Sequence, residues 1–111
     1  MQSNDKLYLV TRKDISPGYQ AVQSAHALRL FSEEHPEIDR EWYKVSNYLC
    51  LLAVQNESEL YSLIGQAKDL EINISVFREP DINNEITAIA IAPGIKSKEL
   101  CSKLKLALRD I

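Results

Sequence analysis

Residues 48–54 read Y-L-C-L-L-A-V, seven apolar side chains in a row with no charge and no turn former. A strand wetted on one face alternates apolar with polar, whereas an unbroken apolar run needs cover on both faces. The run therefore predicts a central strand in a layered fold, with helices above and below a sheet. Three further runs supply its neighbours: residues 7–11 (LYLVT), residues 72–77 (INISVF) with apolar and polar or small residues alternating, and residues 86–92 (ITAIAIA), stopped by Pro93 and Gly94.

Helical segments fall between these runs. Ser16 is a good N-cap and Pro17 suits a first helical position, where its missing N–H costs nothing, so a helix over residues 17–34 is predicted. Asn56 caps a second over residues 57–70, with Leu60, Leu63, Ile64 and Ala67 at helical spacing. A short helix over residues 98–104 closes the pattern, and KLALRDI trails along the surface. Residues 35–48 mix a proline with charges and aromatics and read as a connection with one helical turn over residues 37–44. The order β-α-β-α-β-β-α predicts a single α/β domain over residues 1–111, a four-stranded mixed sheet with helices packed on both faces. A chain of 111 residues, 45% of them hydrophobic, suffices for one such core and not for two.

Composition narrows the function. No apolar run is long enough to cross a bilayer and the start MQSNDK lacks the order of a secretory signal, so a cytoplasmic protein without a membrane partner is expected. Cys50 and Cys101 lie in apolar segments without CxxC spacing or a histidine pair, which predicts buried reduced thiols rather than a disulfide or a metal site, and no cofactor is expected. A net charge of −3 gives no global field for nucleic acid, so an RNA contact needs a local basic patch. Arg12, Lys13, Arg29, Arg78, Lys103 and Lys105 are the candidates. Arg12, Lys13 and Arg78 share one sheet edge if the first and third strands run parallel.

On a helical wheel at about 100° per residue, Ala21, Ala25, Leu28 and Ser32 form a narrow stripe that would let the first helix lie close to the sheet. His26 falls on another side, near Tyr19, Val22, Leu30 and Glu33, with Gln23 somewhat farther round. Two readings of His26 stand here: a ring resting on Val22 and Leu30 and pairing with Glu33, or a group of a functional site. His35, before a proline at the helix end, reads as a surface cation. Ser24 points away from His26 and reads as helix packing.

The stretch KDISPGYQAVQSAHA resembles the first motif of the archaeal and eukaryotic type of peptidyl-tRNA hydrolase, type 2, through Asp14, Ser16, Gly18, Ala21, Gln23, His26 and Ala27. The likeness continues through Trp42, the helix ESELYSLIGQAK, the strand TAIAIAP, and Leu104, Lys105 and Leu106, so it covers residues 6–106 in order. The REPD…E-x-TA form resembles a bacterial branch of the same superfamily. The resemblance implies a mixed four-stranded sheet between helices, pairing as a homodimer, and hydrolysis of the ester that joins a peptide to tRNA, so that peptidyl-tRNA or a related RNA ester is the expected partner.

Two departures bear on that expectation. Tyr19 and Pro17 stand where the family carries lysines, which removes positive charge from the helix start; a tyrosine can instead stack on a base or ribose. The segment REPDINNE is shorter than the family's loop and lacks its G-R-T-Q, and Glu79 takes the place of the family's functional aspartate, with Asp81 and Glu85 close by.

Ester hydrolysis needs an activated water, a stabilised oxyanion and help for the departing hydroxyl. His26 with Asp81 or Glu79 would provide an imidazole and a carboxylate without a metal, and Thr87 would orient the carboxylate or the substrate. These four are the catalytic candidates. Ser16, Gly18, Tyr19, Gln23, Arg12, Lys13, Arg78 and Glu85 are the substrate-binding candidates. The same acids also suit a solvated turn, and the missing lysines and loop equally suit a relative that has lost hydrolysis and serves as a tRNA- or protein-binding module. A third reading is a hydrolase of small acyl esters.

Overall fold

A computed structural model describes residues 1–109. Its elements in chain order are β1 (Lys6–Arg12), α1 (Pro17–Glu34), α2 (Pro36–Val45), β2 (Tyr48–Val54), α3 (Glu57–Asp69), β3 (Ile74–Glu79), a 3-10 turn (Pro80–Ile82), β4 (Glu85–Ile91), α4 (Ile95–Cys101) and β5 (Lys105–Leu106). The sheet has five strands in the order β3-β4-β1-β2-β5. β1 and β2 pair in parallel, and every other pairing is antiparallel.

The mixed sheet between two helical layers is therefore present, but with five strands rather than four. The extra one is Lys105 and Leu106 pairing with Ala53 and Leu52, within the segment expected to trail on the surface. Two residues are too few to show a period. Of the trailing residues, 110 and 111 lie outside those described. The central strand is β1, with its pairing to β4 and β2 on either side, and not the run at residues 48–54. Tyr48 and Leu49 of β2 are about half exposed, because the helices on that side sit over the other strands.

Two apolar clusters hold the layers together. On one face Leu7, Leu9, Ala88, Ala90 and Ala92 of the sheet region meet Ala27 and Phe31 of α1 and Trp42 of α2. On the other, Tyr8, Val10, Leu52, Ile86, Ile89 and Ile91 meet Leu60, Leu63 and Ile64 of α3 and Cys101 of α4. The alanines of β4 are what bring α1 close to the sheet. Opposite them α1 buries Gln20, Gln23, Ser24, Ala27 and Phe31, while Ala21 and Ala25 face solvent. Ala21 and Ala25 of the expected stripe are thus on the outer side of the helix, while Leu28 is half-buried against the apolar cluster and Ala27 is the small side chain of α1 that meets the sheet. Phe31 is fully buried, so truncating it to alanine would cost about 3–5 kcal/mol.

Both cap expectations hold. Ser16 Oγ accepts from the Tyr19 N–H at 3.4 Å, and Asn56 Oδ1 accepts from the Glu59 N–H at 3.1 Å. Residues 35–48 contain a ten-residue helix rather than one turn, because Pro36 occupies its first position and Trp42 buries against the sheet. His35 is not a free surface cation: it sits at the junction of α1 and α2, tilted against Phe31, and its ring N–H donates to the Ile74 carbonyl at 2.9 Å. The α4 helix starts three residues earlier than expected, directly after Gly94, whose φ of +148° suits a glycine.

Candidate active site

β1 and β3 each run antiparallel to β4 and so run parallel to one another. The ends of β1, β2 and β3, the start of β4 and the amino ends of α1 and α3 consequently meet at one edge of the sheet. In α/β sheets this carboxyl edge is where ligands lodge.

Across it runs a buried chain of hydrogen bonds. Thr11 Oγ1 donates to the Thr87 carbonyl at 2.9 Å, Thr87 Oγ1 donates to Gln23 Oε1 at 2.6 Å, and Gln23 Nε2 donates to Glu79 Oε1 at 2.8 Å. Thr11, Thr87 and Gln23 are fully buried, and Glu79 is 9% exposed. The threonine hydroxyl fixes which way the Gln23 amide points, because its oxygen is already used as an acceptor. Its N–H₂ is left to face the carboxylate.

A β-bulge makes this possible. Phe77 pairs with Ala88 but Arg78 pairs with Ile86, so Thr87 is an extra residue in β4. Without it, strict alternation would turn Thr87 to the α3 side, with Ile89 and Ile91. The bulge re-aims it at α1 and puts Ile86 in the isoleucine cluster instead. The turn that follows Glu79 is equally specific: Pro80–Ile82 form the 3-10 turn, and Asn83 and Asn84 both adopt left-handed backbone, which asparagine tolerates well.

Glu79 is held ionised. The hydrogen bond from Gln23 lowers its pKa most, with smaller help from the Asp81 N–H, the nearby His26 and Tyr19, while its burial works in the opposite direction. The Asp81 N–H reaches Glu79 Oε2 at 3.4 Å. Tyr19 lies one turn before Gln23 on α1; burial first, then the charges of Glu79 and Asp81, raise its pKa. Asp81 itself is exposed.

His26 does not form an ion pair with Glu33. Its exposed ring stacks on Phe77 of β3, with centroids 4.6 Å apart and planes 12° from parallel, while Glu33 pairs with Arg29 at 2.6 Å. The side of α1 that carries His26 overhangs β3, which the wheel could not place. His26 is among the neighbours that lower the Glu79 pKa. No hydrogen bond joins His26 to any carboxylate among the described residues.

The other candidates stand apart. Arg12 is 8% exposed and fully engaged: Nε and Nη2 meet the two Asp14 oxygens at 2.7 and 2.8 Å, and Nη1 meets Glu85 Oε1 at 2.7 Å and the Ile86 carbonyl at 3.1 Å. It fastens β1 to β4, so it is not a free contact for substrate, and Glu85 is used up with it. The same clamp lowers the Asp14 pKa, chiefly by hydrogen bonding. Arg78 lies 5.9 Å over the Tyr61 ring and donates to the Asn84 carbonyl at 3.3 Å. Lys13 is exposed, and Gly18 in the first turn of α1 has open space where a side chain would project. The basic edge is therefore present, as the parallel strands require, yet its most buried cation is already neutralised.

A hollow of about 860 Å³ opens at the opposite edge, between Lys6, Ile38, Ala92 and Ser97, away from this chemistry. Among the described residues no three His, Cys, Asp or Glu side chains gather to hold a metal. Both cysteines are free, and burial first, then Cys50, pushes the Cys101 thiol up to about 12. No helix among them is long and apolar enough to cross a membrane.

Thr11 and Phe77 belong to the site and were not singled out from sequence. The bulge had a trace there: isoleucines at 86, 89 and 91 are spaced by three and then two, an interruption of strict alternation.

Comparison with known proteins agrees with this architecture. The family model of peptidyl-tRNA hydrolase PTH2 matches residues 5–107. Peptidyl-tRNA hydrolases of Thermococcus onnurineus and Thermococcus sibiricus are 31% and 29% identical to the chain, each alignment covering 89% of this chain and 91% of the relative. A solved structure from Agrobacterium tumefaciens, described as a protein of unknown function, superposes with a TM-score of 0.66 at 15% identity, covering 93% of this chain and 97% of that one; it shares the fold.

Proposed function

The chain belongs to the peptidyl-tRNA hydrolase PTH2 family, and from that premise we propose that it hydrolyses the ester between a peptide or aminoacyl group and tRNA, by activating water without a metal. The observation that carries the reading is the buried Thr11–Thr87–Gln23–Glu79 chain, which aims an ionised carboxylate at an open sheet edge. Glu79 holds and polarises the water. His26, kept upright by its stack on Phe77, flanks that water and receives its proton, helped by the negative Glu79. Thr87 acts through Gln23 and is a positioning residue. Asp81 faces the substrate from the turn, and Lys13, Arg78 and the open first turn of α1 at Ser16 and Gly18 receive the RNA end.

The same reading places the protein in the cytoplasm, where peptidyl-tRNA arises. For its assembly we take a homodimer, with the exposed Tyr48, Leu49 and Leu106 of β2 and β5 against a second copy. Sedimentation of the purified protein at twice the monomer mass supports that pairing, and a monomer at high concentration removes it.

Release of labelled peptide from peptidyl-tRNA at many turnovers per enzyme tests the activity. The expected result is turnover that falls at least 10²-fold in His26→Ala with the fold intact. Equal rates in the variant remove His26 from the mechanism. A wild-type protein that binds tRNA tightly without turning over the ester is instead a binding module, a reading favoured by the neutralised Arg12 and the acidic residues at the same edge.

A further inference from the structure

From the hydrogen bond between its carboxylate and the bulge of β4, we infer that Glu57 is a positioning residue: it holds the bulge that aims Thr87 at Gln23 and so orients Glu79. The assignment rests on the hydrolase reading above and adds to it a residue from the opposite face of the sheet. Glu57 Oε2 accepts from the Ile86 N–H at 2.8 Å. Ile86 directly precedes Thr87, pairs with Arg78 at the register shift, and is buried. The chain is pinned beyond Thr87 as well, because the Thr87 carbonyl accepts from Thr11 Oγ1 at 2.9 Å. Thr87 is therefore fixed on either side, by an acid from α3 and a hydroxyl from β1, and its own hydroxyl is left for Gln23.

Two acids occupy the first turn of α3, and they act differently. Glu59 is exposed and reaches back to the Gln55 N–H at 2.6 Å, a local task at the start of its own helix. Glu57 is half-buried and turns away from its helix onto β4. Its direction follows from spacing: Glu57, Leu60 and Ile64 stand at i, i+3 and i+7, so the acid shares the side of α3 that packs into the cluster containing Ile86. A bulge competes with the unbulged ladder, in which a slip of one residue turns side chains to the other face. In that register Thr87 leaves Gln23 and the Ile86 N–H leaves Glu57. A buried N–H without an acceptor is tolerated less than an under-used carbonyl. The Glu57 bond therefore weighs more for the bulge than the Arg12 bond to the Ile86 carbonyl does.

Glu57→Met keeps the length of the side chain and removes the acceptor. The expected result on peptidyl-tRNA is a kcat roughly tenfold lower with KM within about twofold. The midpoint of Glu79, read by carbon-13 NMR, should rise with it, because Gln23 is no longer fixed. Glu57→Gln keeps an acceptor oxygen and should restore both readouts to near wild type. Glu57→Asp keeps the charge but withdraws the oxygen by one methylene, and should shift both readouts in the direction of Glu57→Met, which decides the matter if the methionine variant does not fold. Glu59→Ala, the control for a general effect at the helix start, should lower the melting temperature without moving kcat or the Glu79 midpoint. Wild-type kcat and midpoint in Glu57→Met or Glu57→Asp overturn the assignment, as do equal losses in Glu57→Gln or in Glu59→Ala. A wild type without turnover removes the hydrolase reading, whereas an unmoved midpoint in an active enzyme removes only this one.

Discussion

Glu79 and Glu85 face each other directly across the β3–β4 hairpin, yet the two carboxylates are treated in opposite ways. Glu85 meets a guanidinium that it shares with Asp14, so its charge is paired, though not fully cancelled, and its geometry serves the joint between strands. Glu79 meets a neutral amide, which hydrogen-bonds the anion without cancelling it. Like charges opposite each other destabilise a hairpin, and neutralising one of the pair relieves most of that cost. What remains is a single uncompensated carboxylate, buried enough to be held in place and open enough to meet water. The difference separates a structural acid from a reactive one at the same sheet edge.

Exchanging each acid for its amide breaks that comparison most sharply. Glu79→Gln should lower kcat/KM for peptidyl-tRNA by about 10²–10³-fold, as expected for loss of a charge used in the transition state. Glu85→Gln, measured beside it, should stay within about threefold of wild type and cost no more than about 1 kcal/mol of stability, since its side chain is more than a third exposed. Similar losses in both would erase the distinction.

The clamp has its own signature. Arg12→Ala leaves two carboxylates without their cation and removes four hydrogen bonds, and should cost about 2–3 kcal/mol in a urea titration while the activity per folded molecule persists. On the other side, Thr87→Val takes the donor from a buried amide oxygen. That should cost about 1–2 kcal/mol and reduce activity through Gln23, read as a fall in kcat with little change in KM.

How much of this was legible follows from the range of each signal. The layers, caps and helix order are local matters of period and end chemistry, and they were readable from ITAIAIA, Ser16-Pro17 and Asn56. β5 was not, because a two-residue strand exists only through its pairing with β2. Which side of α1 faces the sheet was misjudged because the space is made by the alanines of β4, sixty residues away, and three of the buried residues on α1 are polar. The resemblance drew attention to Gln23, His26, Glu79 and Thr87, but not to how they connect. Their connection depends on a bulge and on an arginine folding back onto Asp14 and Glu85, and both are contacts between segments far apart in the chain.

Acid behaviour sharpens the contrast further. The folded pKa of Glu79 lies below its unfolded value, so the folded state binds fewer protons there. Its stabilising contribution is complete above that unfolded value and disappears as pH falls through the folded one. A carbon-13 NMR titration of the Glu79 side chain, in wild type and in Gln23→Met, tests the central claim most directly. The account predicts a midpoint below the ordinary glutamate value in wild type that rises when the amide is removed. A wild-type midpoint at or above that value, or one indifferent to Gln23, would contradict it.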